Sequence, residues 1–135
     1  MDALAAFPPG TRHALPHVVT AAELATVAAL IGSADPALSG RAAATLMSRL
    51  LVARFPGPGT RLLREDFRFA GRLAEGDRVE LSVEVLGPAE GGLALRCAVR
   101  HADGTTVLEG TAEVAPPETP PDGADAPFGT HPRRM

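Results

Sequence analysis

Apolar and polar residues alternate in the second half of the chain, a pattern typical of half-buried β-strands. The clearest run is residues 79–85, where valine and leucine alternate with glutamate and serine. Runs at 93–100 and 105–114 follow it, and residues 61–69 form an earlier strand of the same kind. Short turns separate the last three runs, including the hairpin signal Asp103-Gly104. Because parallel neighbours need long crossovers, these three strands are predicted to pair antiparallel.

Before the strands, apolar residues recur at three- to four-residue spacing, which predicts two helices. The first begins after Thr20, because Thr20 and Glu23 match a capping box that satisfies the first free backbone N–H groups. Gly32 suits the left-handed conformation that ends a helix. The second helix is predicted from Gly40 to Phe55, before a Pro-Gly repeat that stops it. The first apolar stripe is Leu24, Val27, Ala28 and Ile31, and the second set is Ala43, Leu46, Met47, Leu50, Leu51 and Phe55.

An apolar helix followed by a meander of strands predicts a single α+β domain, with an antiparallel sheet wrapped around a long central helix. The polar side chains of the strands would face water and the apolar ones the helix. We expect the domain to cover residues 18–115, after an irregular N-terminal arm at 1–17 and before a disordered, proline-rich tail at 116–135. An open edge strand favours pairing with a second chain, so a dimer is expected.

Composition narrows the chemistry that this domain can perform. All 13 basic residues are arginine, so a Schiff-base lysine and a P-loop lysine are excluded. The chain also has no tyrosine, which excludes a tyrosine acid or base. The net charge of -3 gives no basic surface for nucleic acid. A single cysteine, Cys97, and scattered histidines predict no intrachain disulfide, no metal site and no cofactor. Neither a signal peptide nor a membrane span is evident, so cytoplasmic localisation is the default expectation.

Several segments, in order, resemble the MaoC-like branch of the hot-dog fold, which comprises (R)-specific enoyl-thioester hydratases and 3-hydroxyacyl-thioester dehydratases. The resemblance runs from Pro9 to Val114. It rests on PGTR, the capped helix TAAELATVAALIG, the loop GSADPAL, FPGPGT, FRFAGRLAEGDRVELSVEVL and RHADGTTVLEGTAEV. It implies a hot-dog fold, a homodimer or a heterodimer with another hot-dog protein, and an acyl thioester of coenzyme A or acyl carrier protein as ligand.

The loop departs from the family at the residues that carry catalysis. In the family it reads G-D-x-N-P-x-H, and its aspartate and histidine activate water and move a proton at the α-carbon. With Gly32 and Pro36 aligned, Ser33 takes the aspartate position, Asp35 the asparagine position and Leu38 the histidine position. Leucine cannot transfer protons, and a serine without a neighbouring base is a poor substitute.

A reduced set of candidate site residues follows from the resemblance. Gly40 matches a family glycine, and its backbone N–H at a helix N-terminus is a candidate oxyanion donor. Ser33 and Asp35 are weak catalytic candidates, since turn and cap hydrogen bonds are the commoner role of such residues, and the same holds for Ser39. The substrate-binding candidates are Leu38, Ser39, Leu46, Met47, Arg61 and Arg64. For the two arginines, a solvated strand face is the simpler explanation.

Three functions stay open at this point. The first is a degenerate hot-dog subunit, non-catalytic alone, that pairs with a chain supplying the Asp/His dyad of a dehydratase or hydratase. The second is a self-contained thioester hydrolase with Asp35 or Glu65 as base and Gly40 as oxyanion donor. The third is a non-enzymatic binder of acyl thioesters. The first and third functions both predict the missing dyad, so only the identification of a partner chain would distinguish them.

Overall fold

The computed structural model describes residues 6–117 of the 135-residue chain. Within this range the chain forms one five-stranded antiparallel sheet and two α-helices, which confirms the predicted α+β class. The elements are β1 (Arg12–Val18), α1 (Ala21–Ile31), a 3₁₀ turn (Pro36–Leu38), α2 (Gly40–Ala53), β2 (Arg61–Phe69), β3 (Arg78–Ala89), β4 (Gly92–His101) and β5 (Thr106–Ala115).

The strand order in the sheet is β1-β3-β4-β5-β2. The predicted antiparallel meander is confirmed for β3, β4 and β5, which are joined by short turns. β2 comes after α2 in the chain and pairs with the free side of β5, so that β1 and β2 are the two edges of the sheet. One face of the sheet packs against α2, and the other face, which we call the outer face, is turned away from it.

Helix α2 lies at the centre of the hydrophobic core. Its predicted apolar set is confirmed, except that Phe55 is only half-buried and lies just beyond the helix. Arg41 and Arg49 are exposed on the opposite side, as a helix with one covered face requires. The buried residues of the helix are Gly40, Ala42, Ala43, Leu46, Met47, Leu50 and Leu51.

Helix α1 has the predicted ends. Thr20 and Glu23 form both hydrogen bonds of the capping box, and Gly32 has a positive φ of 84°. None of the helix residues is buried, however, so its apolar stripe is only partly covered. Within the described residues, no single helix is long and apolar enough to cross a bilayer; α1 and residues 36–53 satisfy that criterion only as a pair bent by 96°.

The structure corrects one prediction for the N-terminal arm. Residues 12–18 form β1, which pairs with β3, whereas this segment was predicted to be irregular up to Pro16. Proline lacks the donor that an inner strand needs, but an edge strand tolerates it, and β1 is an edge. Residues 1–5 of the predicted arm and 118–135 of the predicted tail lie outside the described residues.

Candidate functional site

An apolar groove of about 370 Å³ lies where α1, the loop after it and the start of α2 meet. The apolar stripe of α1 forms one wall, and residues 73–75, which precede β3, form another. The floor and rim include Leu38 and Ala42. The polar side chains around this surface are Ser33, Asp35, Ser39 and Glu75. A mostly apolar cleft with few polar groups is the usual form of a small-molecule site.

The polar side chains of the loop are engaged in local hydrogen bonds. Ser33 Oγ accepts the Asp35 backbone N–H at 3.2 Å. Asp35 Oδ1 accepts the Ala37 N–H at 2.9 Å and thereby caps the 3₁₀ turn. Both interactions are exposed to solvent and are those expected of turn and cap residues. The loop therefore brings these two side chains to the groove with an oxygen of each engaged in a local backbone hydrogen bond.

Ser39 and Gly40 attach the start of α2 to the segment that follows β2. Ser39 Oγ accepts the Leu73 N–H at 3.0 Å, which links two walls of the groove. Gly40 is buried, and a β-carbon at this position would lie 2.9 Å from the Gly71 carbonyl oxygen and 3.5 Å from Phe69 Cδ1. Glycine is therefore required here for close backbone packing. Because first-turn N–H groups lack intrahelical acceptors, Gly40 is still a candidate oxyanion donor.

Comparison with solved structures identifies the fold of this chain. The (R)-hydratase from A. caviae involved in PHA biosynthesis is 28% identical, with a TM-score of 0.71, over 82% of this chain and 98% of that one. R-hydratase PhaJ1 from Pseudomonas aeruginosa is 24% identical, with a TM-score of 0.75, over 85% of each chain. The MaoC-like dehydratase from Rhodospirillum rubrum is 21% identical, with a TM-score of 0.62, over 82% of this chain and 93% of that one.

This chain has the hot-dog fold, which it shares with these hydratases and the MaoC-like dehydratase. No protein-family model matches the sequence, and no curated protein matches it significantly. The structural likeness therefore carries the assignment, which agrees with the resemblance read from the sequence motifs.

Within this hot-dog domain, the predicted site residues fall into two groups. Ser33, Asp35, Leu38 and Ser39 all line the groove, and Gly40 follows them directly. The other four candidates lie elsewhere. Leu46 and Met47 are buried in the core, with exposed fractions of 4% and 0%, and Arg61 and Arg64 are exposed on the edge strand β2.

An ionic cluster beside the groove was missed at the level of sequence. His17 Nε2 lies 2.9 Å from Glu23 Oε1, and Arg49 donates to Glu23 Oε2 at 3.1 Å, so β1, α1 and α2 are tied together. Partial burial opposes ionisation of Glu23, but the hydrogen bonds from His17, the Thr20 backbone and Arg49 outweigh it and lower the pKa from 4.5 to about 2. The signal was the alternation of His13, Leu15 and His17 along β1, which Pro16 obscured.

The remaining reactive side chains have structural surroundings. Burial, together with the Glu65 charge, raises the pKa of the Cys97 thiol from 9.0 to about 12, so it is an inert core thiol. Glu65 accepts a hydrogen bond from Ser48 Oγ at 3.2 Å on the α2 side of β2. His101 Nε2 lies 3.1 Å from the Arg72 carbonyl oxygen. Within residues 6–117, no group of His, Cys, Asp or Glu side chains is arranged to hold a metal ion.

Proposed function

We propose that this chain is a degenerate MaoC-like subunit of a 3-hydroxyacyl-thioester dehydratase or enoyl-thioester hydratase, non-catalytic by itself and paired with an intact hot-dog chain. One observation carries the proposal: Leu38 lines the groove at the position that the family resemblance gives to the catalytic histidine. The neighbouring polar residues are engaged otherwise, because Ser33 Oγ accepts the Asp35 N–H and Asp35 Oδ1 accepts the Ala37 N–H. What is kept is an apolar surface suited to an acyl chain.

The ligand we propose is an acyl thioester of coenzyme A or acyl carrier protein, held in the cytoplasm without a cofactor. The acyl chain would lie along the groove, with its thioester carbonyl toward the start of α2. There the Gly40 N–H would donate to the carbonyl oxygen, since helix N-termini favour developing negative charge. Arg61 and Arg64 on β2 would contact the phosphates or an acidic carrier, because arginine binds phosphate in a bidentate manner.

The partner chain would pair with β2. This strand forms one edge of the sheet, and its side chains are exposed except for the half-buried Phe67. Three large apolar side chains there, Leu62, Leu63 and Phe69, are 40%, 42% and 41% exposed. An open strand edge with exposed apolar side chains needs cover, and strand pairing with a second hot-dog chain would supply it.

Copurification tests the pairing. A tagged chain isolated from its own host should recover a stoichiometric partner that has the hot-dog fold and an intact G-D-x-N-P-x-H loop. The complex, and not the isolated chain, should hydrate trans-2-octenoyl-CoA. If the isolated chain is a homodimer that turns over at about 1 per second or faster, as ordinary enzymes do, the proposal of a degenerate subunit is wrong.

Ligand binding tests the groove separately. Leu38→Arg should weaken binding of octanoyl-CoA by at least about tenfold. The arginine replaces an apolar contact of the acyl chain with a charged group, and binding would have to remove that group from water. The matched control is Leu30→Arg on α1, since Leu30 is 81% exposed and does not line the groove. Equal affinities for both variants would place the acyl chain elsewhere.

Restoring the dyad gives a test through gain of function. The double variant Ser33→Asp/Leu38→His should acquire hydratase activity in the absence of a partner if the groove presents the loop as the family does. Each single variant is the matched control, because the aspartate and the histidine act together. A double variant that folds, binds octanoyl-CoA and gains no activity would show that the rest of the site is also incomplete.

A second candidate, thioester hydrolysis, is favoured by Glu65. Its carboxylate lies on the α2 side of the edge strand and accepts a hydrogen bond from Ser48, where a partner chain would cover it. Hydrolysis of octanoyl-CoA that is lost in Glu65→Gln, or in Asp35→Asn, would support this candidate. Binding of acyl-CoA without turnover by any complex would leave a non-enzymatic binder as the function.

A further inference from the structure

The outer face of the sheet carries its charges in stripes that follow the strands. On β3 the outward residues include Glu80 and Glu84, and on β4 they include Arg96 and Arg100. The pairing register places Glu80 beside Arg100 and Glu84 beside Arg96. The next strand, β5, carries the acidic Glu109 on the far side of the β4 arginines from β3. Negative and positive stripes therefore alternate across the middle of the sheet.

Small side chains form the row between these charges. Ser82 of β3 pairs with Ala98 of β4 and with Ala14 of β1. Ser82 and Ala98 are each only 5% exposed although they point outward. They lie in the floor of a shallow polar depression of about 630 Å³, whose rim includes Arg96 and Arg100. A flat floor with long charged side chains around it allows a second surface to approach closely.

The charges that β3 and β4 place on this face are weakly neutralised within one chain, whereas Glu109 of β5 is closely paired with Arg68 of β2. Arg96 Nε is 3.9 Å from Glu84 Oε1, and Arg100 Nη2 is 4.0 Å from Glu109 Oε1, both near the limit for an ion pair. Among residues 6–117, Glu80 and Arg12 form no ion pair at all. Exposed pairs at such distances contribute little, about 0–1 kcal/mol each. Charged side chains on this face are therefore available to pair with charges of another molecule.

We propose that two copies of this chain pack through their outer faces, related by a twofold axis that runs parallel to the strands between β3 and β4. Such an axis brings β3 of each copy over β4 of the other and keeps residues of one register row at the same height. Glu84 then faces Arg96 of the second copy, and Glu80 faces Arg100 of the second copy. Ser82 and Ala98 meet near the axis, where their small size lets the sheets approach to about 10 Å.

Charge balance favours a second copy over another class of partner. The two glutamates of β3 and the two arginines of β4 sum to zero net charge, so neither a strongly acidic nor a strongly basic partner is attracted. A twofold interface must be self-complementary, and the alternating stripes satisfy that requirement. This interface uses neither β2 nor the groove, so it is independent of the proposed function.

Charge-reversal variants test the interface. Analytical ultracentrifugation in 50 mM salt measures the mass of each assembly. Arg96→Glu/Arg100→Glu should halve the mass of the wild-type assembly, and Glu80→Arg/Glu84→Arg should do the same. Mixing the two variants should restore the wild-type mass, because each Glu row then faces an Arg row again. High salt should also lower the mass of the wild type, since exposed ion pairs are screened.

The matched control is Arg54→Glu/Arg72→Glu, which reverses two exposed arginines away from the outer face and should leave the mass unchanged. Circular dichroism of each variant distinguishes loss of assembly from loss of folding. If both outer-face variants fold and retain the wild-type mass, the interface is overturned. The same conclusion follows if the mixed variants do not assemble although each one alone is half the wild-type mass.

Discussion

The two helices of this domain are held in place by different forces. Helix α2 has seven buried residues and fills the concave side of the sheet, whereas α1 has none. Instead, α1 is held by the ionic cluster of Glu23 with His17 and Arg49, and by partial packing of Leu24 and Val27 against the core. The two helices therefore have different roles. Helix α2 stabilises the domain through apolar burial, and α1 presents a partly covered apolar wall to the groove.

The largest expected effect on the free energy of unfolding is in the core. Met47→Ala on α2 should lower the free energy of unfolding by about 2–5 kcal/mol, because Met47 is fully buried and its removal leaves a cavity. Leu30→Ala on α1, where the side chain is 81% exposed, should change it by less than about 0.5 kcal/mol. Urea denaturation measures both. A loss below about 1 kcal/mol for Met47→Ala would mean that this side chain borders open space, as an acyl-binding role requires.

A smaller effect is expected where α2 begins. Gly40→Ala should lower the free energy of unfolding by about 1–2 kcal/mol, because the new methyl group would lie 2.9 Å from the Gly71 carbonyl oxygen. Helix propensity acts in the opposite direction by up to about 1 kcal/mol, so the sign of the change is informative. Thr45→Ala, at an exposed position of α2, is the control and should be neutral or slightly stabilising in urea denaturation. A stabilised Gly40→Ala variant would show that the backbone contact is slack.

The polar attachment of α1 should have the smallest effect, and it should depend on pH. Glu23→Gln should lower the free energy of unfolding by about 1 kcal/mol at pH 7, because the charged hydrogen bonds to His17 and Arg49 are weakened. The pKa of Glu23 is lowered to about 2, so the folded state favours the ionised carboxylate. Its contribution is therefore complete above pH 4.5 and is lost as the pH falls from 4.5 toward 2.

Thermal unfolding at several pH values checks this dependence. The difference between the wild type and Glu23→Gln should be constant above pH 4.5 and shrink toward pH 2. Glu90→Gln, in the exposed turn between β3 and β4, should follow the wild-type profile. A difference that grows toward low pH would contradict the assignment of the lowered pKa to the folded state.

The candidate site was predictable only where its residues are contiguous. Ser33, Asp35 and Leu38 reach the groove together because one short loop carries them, and a motif reveals that directly. Met47 is different, since an apolar residue on a central helix faces either a packed sheet or a ligand channel with the same sequence pattern. His17 was missed because its partner Glu23 belongs to another element, and the strand that orients it contains a proline.

The sequence by itself determined the two helices, the four strands β2 to β5, and the antiparallel meander of β3, β4 and β5. Those features depend on local periodicity, capping residues and turn length, which are all encoded within a few positions of the chain. Only the tertiary structure decided that β1 joins β3, that β2 lies at the far edge, and that α1 leaves a groove beside the loop. Strand partners, open edges and grooves arise from contacts between segments far apart in the chain, and no local pattern specifies them.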